Sequence, residues 1–274
     1  GAVSLMPADH FRGMRADVVS ALRTINFRGP LRWPGGCYSS VAADWEAGLL
    51  DADARSPVYQ PPGEAFCYAV KGGLQASTDG ATEDWPAVDE YLQLCEAVGA
   101  EPAIGLRVQF GDEEELRSAE KLLEYLNGDA TTTALGRLRS VRGHPQPYGV
   151  RKLYLGNEMA IQPRYVRLAN KSWLAPIMPA VASEYAGMLS RLAPRLLARD
   201  SQLQLIAANG GPNMSVRTAF ADRIAAHWNR PTMATVGEKL WGSSFHLYMR
   251  QPNRWDPQTM SWAARLPARK ALQT

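Results

Sequence analysis

Val150-Arg151-Lys152-Leu153-Tyr154-Leu155-Gly156-Asn157-Glu158 is the stretch that decides how this chain is read. Val150, Leu153, Tyr154 and Leu155 make a short apolar run, and a run of that length bounded by breakers is the pattern of a buried parallel strand. It stops abruptly in Gly-Asn-Glu. A carboxylate behind an amide, at the carboxyl end of a strand, sits where α/β barrels carry their chemistry. Gly156 permits a tight turn, Asn157 can hydrogen-bond a ligand hydroxyl, and Glu158 can donate or accept a proton. Taken alone, the same residues also describe a strand-to-loop turn with a solvated glutamate. The remainder of the chain has to decide between the two.

Composition sets the bounds. The chain has 274 residues, 46% hydrophobic and 21% charged, with a net charge of +3 and both signs interspersed. That suits one large α/β domain or two small ones, and argues for neither nucleic-acid nor membrane binding. No apolar run approaches the roughly 18 residues of a membrane span. No signal peptide is legible, which favours a cytoplasmic over a secreted protein without fixing the compartment. Cys37, Cys67 and Cys95 are too few and too scattered for a disulfide framework or a zinc knuckle, and no metal or cofactor is expected. Asn170-Lys-Ser172 and Asn213-Met-Ser215 match a glycosylation triplet that arises often by chance. The chain begins at Gly1 and runs almost at once into a helical pattern, so it reads as a fragment.

Working outward from the Gly-Asn-Glu strand, the segments alternate between helix and strand. Met14, Val18, Val19, Leu22 and Ile25 recur at helical spacing and predict a helix over 12–24. Pro30-Leu31-Arg32-Trp33-Pro34-Gly35-Gly36-Cys37-Tyr38 reads as a strand broken by Pro-Gly-Gly, whose glycines suit a tight turn or a close backbone approach. Residues 41–80 have no clear period and read as a long loop. Val88, Tyr91, Leu92, Leu94 and Cys95 mark a helix closed by Gly99, and Pro102 to Val108 the next strand.

Asp112, Glu113, Glu114 and Glu115 resemble a metal site, but they directly precede the helix of Leu116, Leu122, Leu123 and Leu126. Acids there complement the helix dipole, and that reading is preferred. After Glu158 a loop carrying Trp173, Pro176 and Pro179 is expected, then a helix over 181–199 and a strand over 203–208. The last strand spans 242–248 and places His246 and Tyr248 on one face by alternation. Strands near residues 31, 103, 152, 205 and 245, alternating with helices, predict a parallel α/β sheet. A closed (β/α)8 barrel has eight. No Gly-rich phosphate motif follows any strand, and neither His-Glu-x-x-His nor Gly-x-Ser-x-Gly occurs.

Ser4-Leu-Met-Pro-Ala-Asp9, Gly13-Met-Arg15 and Leu31-Arg-Trp-Pro-Gly-Gly36 resemble glycoside hydrolase family 51, the α-L-arabinofuranosidases. So do Asp89-Glu-Tyr-Leu, Cys95-Glu-Ala-Val-Gly-Ala-Glu-Pro102, Gly143-His-Pro-Gln-Pro-Tyr148, Gly156-Asn-Glu-Met159 and Ser244-Phe-His-Leu-Tyr248, in the family's order. The resemblance implies a retaining glycosidase whose (β/α)8 TIM barrel is followed by a β-sandwich. It covers about strands two to six of that barrel, so residues 1–274 read as a partial catalytic domain with the sandwich absent. By the same resemblance Glu158 is the general acid/base and Asn157 binds the sugar hydroxyl beside the anomeric carbon. His246, Tyr248 and Cys37 line the substrate pocket; Cys37 stands where bacterial members often have Asn, and Arg107 where many members have Asn. The implied partner is an arabinofuranosyl-containing oligo- or polysaccharide, and family members are often homo-oligomers.

A retaining enzyme needs a second carboxylate about 5–5.5 Å from the acid. The family's nucleophilic Glu follows the His-x-Tyr strand, yet downstream of Tyr248 the only acid is Asp256, in Trp-Asp-Pro. Glu184, in Ser183-Glu-Tyr-Ala186, imitates a nucleophile motif but precedes that strand and falls in a helix, so it is rejected. Three functions follow. One is a piece of a retaining α-L-arabinofuranosidase acting on terminal groups of arabinan or arabinoxylan fragments. Another is a catalytically inactive, sugar-binding relative. The third, an endoglucanase-like barrel glycosidase, shares Asn-Glu but not the Pro-Gly-Gly and Gly-His-Pro stretches.

Overall fold

Five short strands, each followed by a segment long enough to cross back over the sheet, build the centre of the protein. In the computed structural model these are β1 (Pro30–Trp33), β2 (Glu101–Leu106), β3 (Lys152–Leu155), β4 (Gln204–Ala208) and β5 (Gly242–Ser244). The structure describes residues 10–11, 14–34, 45–50, 74–76, 82–84, 87–108, 111–157, 159, 174–209, 225–245, 255–256 and 261–262. The strands pair in chain order, all parallel, with Trp33 opposite Ile104, Leu106 opposite Leu155, Leu155 opposite Ala207 and Ala208 opposite Ser244. Each crossover therefore advances by one strand in a single direction, the winding of a (β/α)8 barrel. All five expected strands are present. The last is shorter than expected, and 246–248 lie outside the described residues.

The helices are α1 (Ala16–Thr24), α2 (Val88–Val98), α3 (Glu113–Asn127), α4 (Ala134–Val141), α5 (Leu174–Arg199) and α6 (Arg230–Val236). α2 buries Val88, Tyr91, Leu92, Leu94, Cys95 and Val98, one face at a 3.6-residue period. It ends at Gly99 with φ +73°, the left-handed cap that glycine supplies at least cost. The acidic run behaves as a helix start. Asp112 caps α3 by accepting from the Glu115 N–H at 2.9 Å, while the buried Glu115 carboxylate accepts from the Gly111 N–H at 2.7 Å.

Three expectations need correction. α1 begins at Ala16 rather than residue 12, because Met14–Arg15 pairs with His10–Phe11 in a short antiparallel ladder. The 41–80 region is not a featureless loop: Trp45 is buried, Ala47–Leu49 forms a 3-10 turn, and Leu74–Ala76 pairs with Thr82–Asp84. α5 starts at Leu174, well before residue 181, and takes in Pro176 and Pro179. Pro176 sits in the first turn, where a missing N–H costs no intrahelical bond, so proline there does not mark a loop. The π-helical turn Ala225–Asn229 leading into α6 was also not foreseen.

Two tyrosines rivet helices to the sheet in the same way. The Tyr91 hydroxyl accepts from the Ala103 N–H at 2.7 Å and donates to the Leu31 carbonyl, bridging β1 and β2. The Tyr185 hydroxyl accepts from the Ala208 N–H at 2.9 Å and donates to the Leu155 carbonyl at 2.6 Å, bridging β3 and β4. Each ring stacks on a tryptophan: Tyr91 on Trp33 at 5.6 Å and Tyr185 on Trp228 at 5.2 Å, both at 19°. Each hydroxyl thus satisfies backbone groups that lie in the dry layer between sheet and helices.

Candidate active site

A parallel sheet brings every strand's carboxyl end to one edge. In this protein that edge carries Pro34 after β1, Arg107 after β2, Gly156-Asn157 after β3, Asn209 after β4 and Phe245 after β5. The turn after β3 sets the geometry. Gly156 has φ +89°, and a Cβ there would lie 2.7 Å from Met159 Sδ and 2.8 Å from Val108 Cγ2. Only glycine meets both the backbone angle and the space. Its N–H donates to the Tyr154 carbonyl at 3.1 Å, closing the turn.

The turn redirects Asn157. By alternation Asn157 shares the face of Leu155, which looks toward the helices. Its side-chain oxygen instead accepts from Arg32 Nη2 at 2.9 Å, and the Arg32 guanidinium lies 4.6 Å from the centre of the Tyr154 ring. Trp33, the neighbour of Arg32 on β1, packs outward on Tyr91. Arg32 and Tyr154 therefore occupy the opposite face of the sheet, the barrel interior, and Asn157 has been turned into it. Asn157 is 1% exposed, so its amide is held in a dry setting where hydrogen-bond geometry is strictly enforced.

Of the residues singled out from the sequence, Asn157 is placed at the carboxyl edge beside Arg32 and Tyr154. Glu158, His246, Tyr248 and Cys37 lie outside the described residues. Glu184 is exposed on α5. Asp256 pairs with Ser261 in a two-residue antiparallel ladder separate from the parallel sheet. Arg32 was missed as a site residue, although a signal existed: a lone charge between Leu31 and Trp33 must face away from both.

Beside this centre, a cleft of about 360 Å3 opens between the 45–50 turn and the start of α3, lined by Glu46, Arg107, Asp112, Glu115, Arg117 and Lys121. Arg107 Nε sits 3.4 Å from Glu115 Oε1, and Lys121 bonds Glu46 at 3.1 Å, so both signs are present and neither dominates. Among the described residues no group of three His, Cys, Asp or Glu could hold a metal ion, and no helix is long and apolar enough to cross a membrane. Cys95 is buried in α2, where burial pushes its thiol up to about 11, a structural rather than a reactive cysteine.

The alpha-L-arabinofuranosidase 1 domain family matches residues 24–230. An intracellular exo-alpha-L-arabinofuranosidase of Bacteroides ovatus is 24% identical over 245 residues, covering 87% of this chain and 38% of the relative. A probable alpha-L-arabinofuranosidase C of Aspergillus niger is 27% identical over 252 residues, covering 92% and 43%. The chain thus spans about two fifths of the length of these relatives. Among solved structures, the arabinose complex of the Thermotoga maritima alpha-L-arabinofuranosidase is 25% identical with a TM-score of 0.58, covering 91% of this chain and 42% of that one. The family 51 enzyme AbfB of Bifidobacterium longum, at 23% identity, has the same fold with a TM-score of 0.64 and the same coverage of both chains. The sheet is accordingly part of a TIM barrel, and the chain belongs to the α-L-arabinofuranosidases of glycoside hydrolase family 51.

Proposed function

We propose that residues 1–274 form part of the catalytic barrel of a retaining glycosidase that removes terminal α-L-arabinofuranosyl groups from arabinan- or arabinoxylan-type glycans. Glu158 is the general acid/base in this reading, Asn157 holds the hydroxyl next to the anomeric carbon, and His246, Tyr248 and Cys37 line the sugar pocket. The observation that carries it is the turn after β3. A glycine-only conformation carries Asn157 into the barrel interior at the carboxyl edge, and Glu158 is the next residue in the chain. Protonating a departing glycosidic oxygen at neutral pH requires a carboxyl positioned at that edge, an assistance worth roughly 10²–10⁴-fold.

The second carboxylate has no candidate within the chain: no Glu follows Glu238, and Asp256 belongs to an antiparallel ladder. Without a nucleophile no covalent glycosyl-enzyme forms. The 274 residues alone therefore bind an arabinofuranosyl group weakly and do not hydrolyse it. Incubating the purified chain with 4-nitrophenyl α-L-arabinofuranoside, beside its Glu158→Gln and Glu184→Gln variants, tests the proposal. The expected result is no nitrophenol release above background from any of the three. Turnover abolished by Glu184→Gln would assign the nucleophile to the rejected carboxylate, and turnover surviving both changes would refute the acid/base role of Glu158.

A further inference from the structure

We infer that Arg32 is a positioning residue: it fixes the side-chain amide of Asn157 in one orientation, so that a hydrogen-bond donor rather than an acceptor is offered to the sugar. This rests on the reading of Asn157 as a ligand for a sugar hydroxyl. Arg32 Nη2 lies 2.9 Å from Asn157 Oδ1, across 125 residues of chain. A guanidinium has donors and no acceptor, so the atom of the amide that faces it must be the oxygen. The Nδ2 group is thereby turned away from Arg32, and a flipped amide would set donor against donor in a buried place. Asn157 then discriminates: it donates to a hydroxyl oxygen and rejects a partner that is only a donor.

The guanidinium is itself held. Its carbon stands 4.6 Å from the Tyr154 ring centre, within cation–π range. β2 lies between β1 and β3, and register places Ala103 beside Arg32 and Gly105 beside Tyr154. These two small residues share the face of Arg32, so β2 itself puts no bulky side chain between Arg32 and β3. The clamp thus spans three strands, with Tyr154 and Asn157 on either side of the Gly156 turn. A charge-assisted bond of this kind resists rotation of the amide more than a neutral one would.

The test uses the 274-residue chain labelled with 15N, the Asn157 amide pair being identified by its loss in Asn157→Ala. Arg32→Met is expected to collapse the separation of the two Nδ2 protons toward free-amide positions while leaving the backbone spectrum in place. Arg32→Lys, which keeps a donor, is expected to restore part of it. Methyl α-L-arabinofuranoside is then titrated. Losing one partner of a charged hydrogen bond corresponds to roughly tenfold or more in affinity, so Arg32→Met and Asn157→Ala are each expected to weaken binding about that much, and the double variant no further than Asn157→Ala. An amide pair unchanged in Arg32→Met overturns the inference. So do losses that multiply in the double variant, because Arg32 would then act on the sugar independently. A wild-type chain whose spectrum does not respond to the sugar overturns the ligand role of Asn157 instead, while the amide comparison still decides whether Arg32 orients it.

Discussion

Replacing Tyr185 with phenylalanine isolates one oxygen atom whose loss should be felt across two strands. The hydroxyl accepts from the Ala208 N–H at 2.9 Å and donates to the Leu155 carbonyl at 2.6 Å, and the residue is 1% exposed. Tyr185→Phe keeps the ring and its stack on Trp228 at 5.2 Å, so the hydrophobic contribution is nearly unchanged. It leaves a buried N–H and a buried C=O without their partner. Each such group costs about 1–3 kcal/mol, partly offset because a buried hydroxyl no longer has to be desolvated. The expected loss is therefore about 2–4 kcal/mol, large against a typical total of about 5–15 kcal/mol. Urea unfolding followed by tryptophan fluorescence measures it, with an unchanged m-value showing that the same surface is exposed. A loss below about 0.5 kcal/mol, the size of an ordinary surface substitution, would refute the claim that the hydroxyl completes the sheet's hydrogen bonding. Tyr91→Phe is the parallel case at β1 and β2. Because the hydroxyl partners of the two rivets differ, Leu31 and Ala103 against Leu155 and Ala208, their effects should add.

Gly156→Ala is expected to destabilise by at least about 1–3 kcal/mol, since φ +89° strains any L side chain and the new Cβ meets Val108 at 2.8 Å; the same urea curves report it. Arg139 is fully buried and donates to the Tyr125, Gly128, His144 and Pro145 carbonyls, so Arg139→Lys, lacking the fork, should cost about 2 kcal/mol or more by thermal unfolding. The Cys95 thiol, pushed up to about 11 by burial, is expected to resist iodoacetamide at pH 8 in the native protein and react in urea, as read by peptide mass spectrometry. The Glu113 carboxyl is held below its ordinary 4.5 by its bond to Arg195, and Asp129 below its ordinary 3.8 by its bonds to Thr131 and Thr132. A depressed carboxyl stabilises the fold above its unfolded pKa and loses that contribution as pH falls through the folded one, so stability should decline on acidification below about pH 4.5 and less steeply in Arg195→Ala.

Much of the fold was legible because its causes are local. The apolar run ending at Leu155, the glycine cap at Gly99 and the acids that start α3 each act within one turn of chain. Strand and helix periods therefore predicted the five strands and the burial of α2. The ordered motifs from Leu31-Arg-Trp-Pro-Gly-Gly36 to Gly156-Asn-Glu-Met159 pointed to the family that matches residues 24–230. Local pattern failed where sequence signals were ambiguous. The prolines at 176 and 179 read as a loop, yet lie near the start of the 26-residue α5, where the first turn tolerates a missing N–H.

What only the tertiary structure decided depends on residues far apart in the chain. Nothing near Asn157 says that its amide oxygen is taken by Arg32, 125 residues earlier. Nothing near Tyr185 says that its hydroxyl stands between Leu155 and Ala208. Nothing near Arg139, on the short α4, says that it is the buried partner of four carbonyls, because α3 and the 144–145 segment supply them by closing around it. In each case a polar group is buried, and burial makes its partner obligatory. The sequence shows that such a group exists, but register and chain crossing decide which partner it meets.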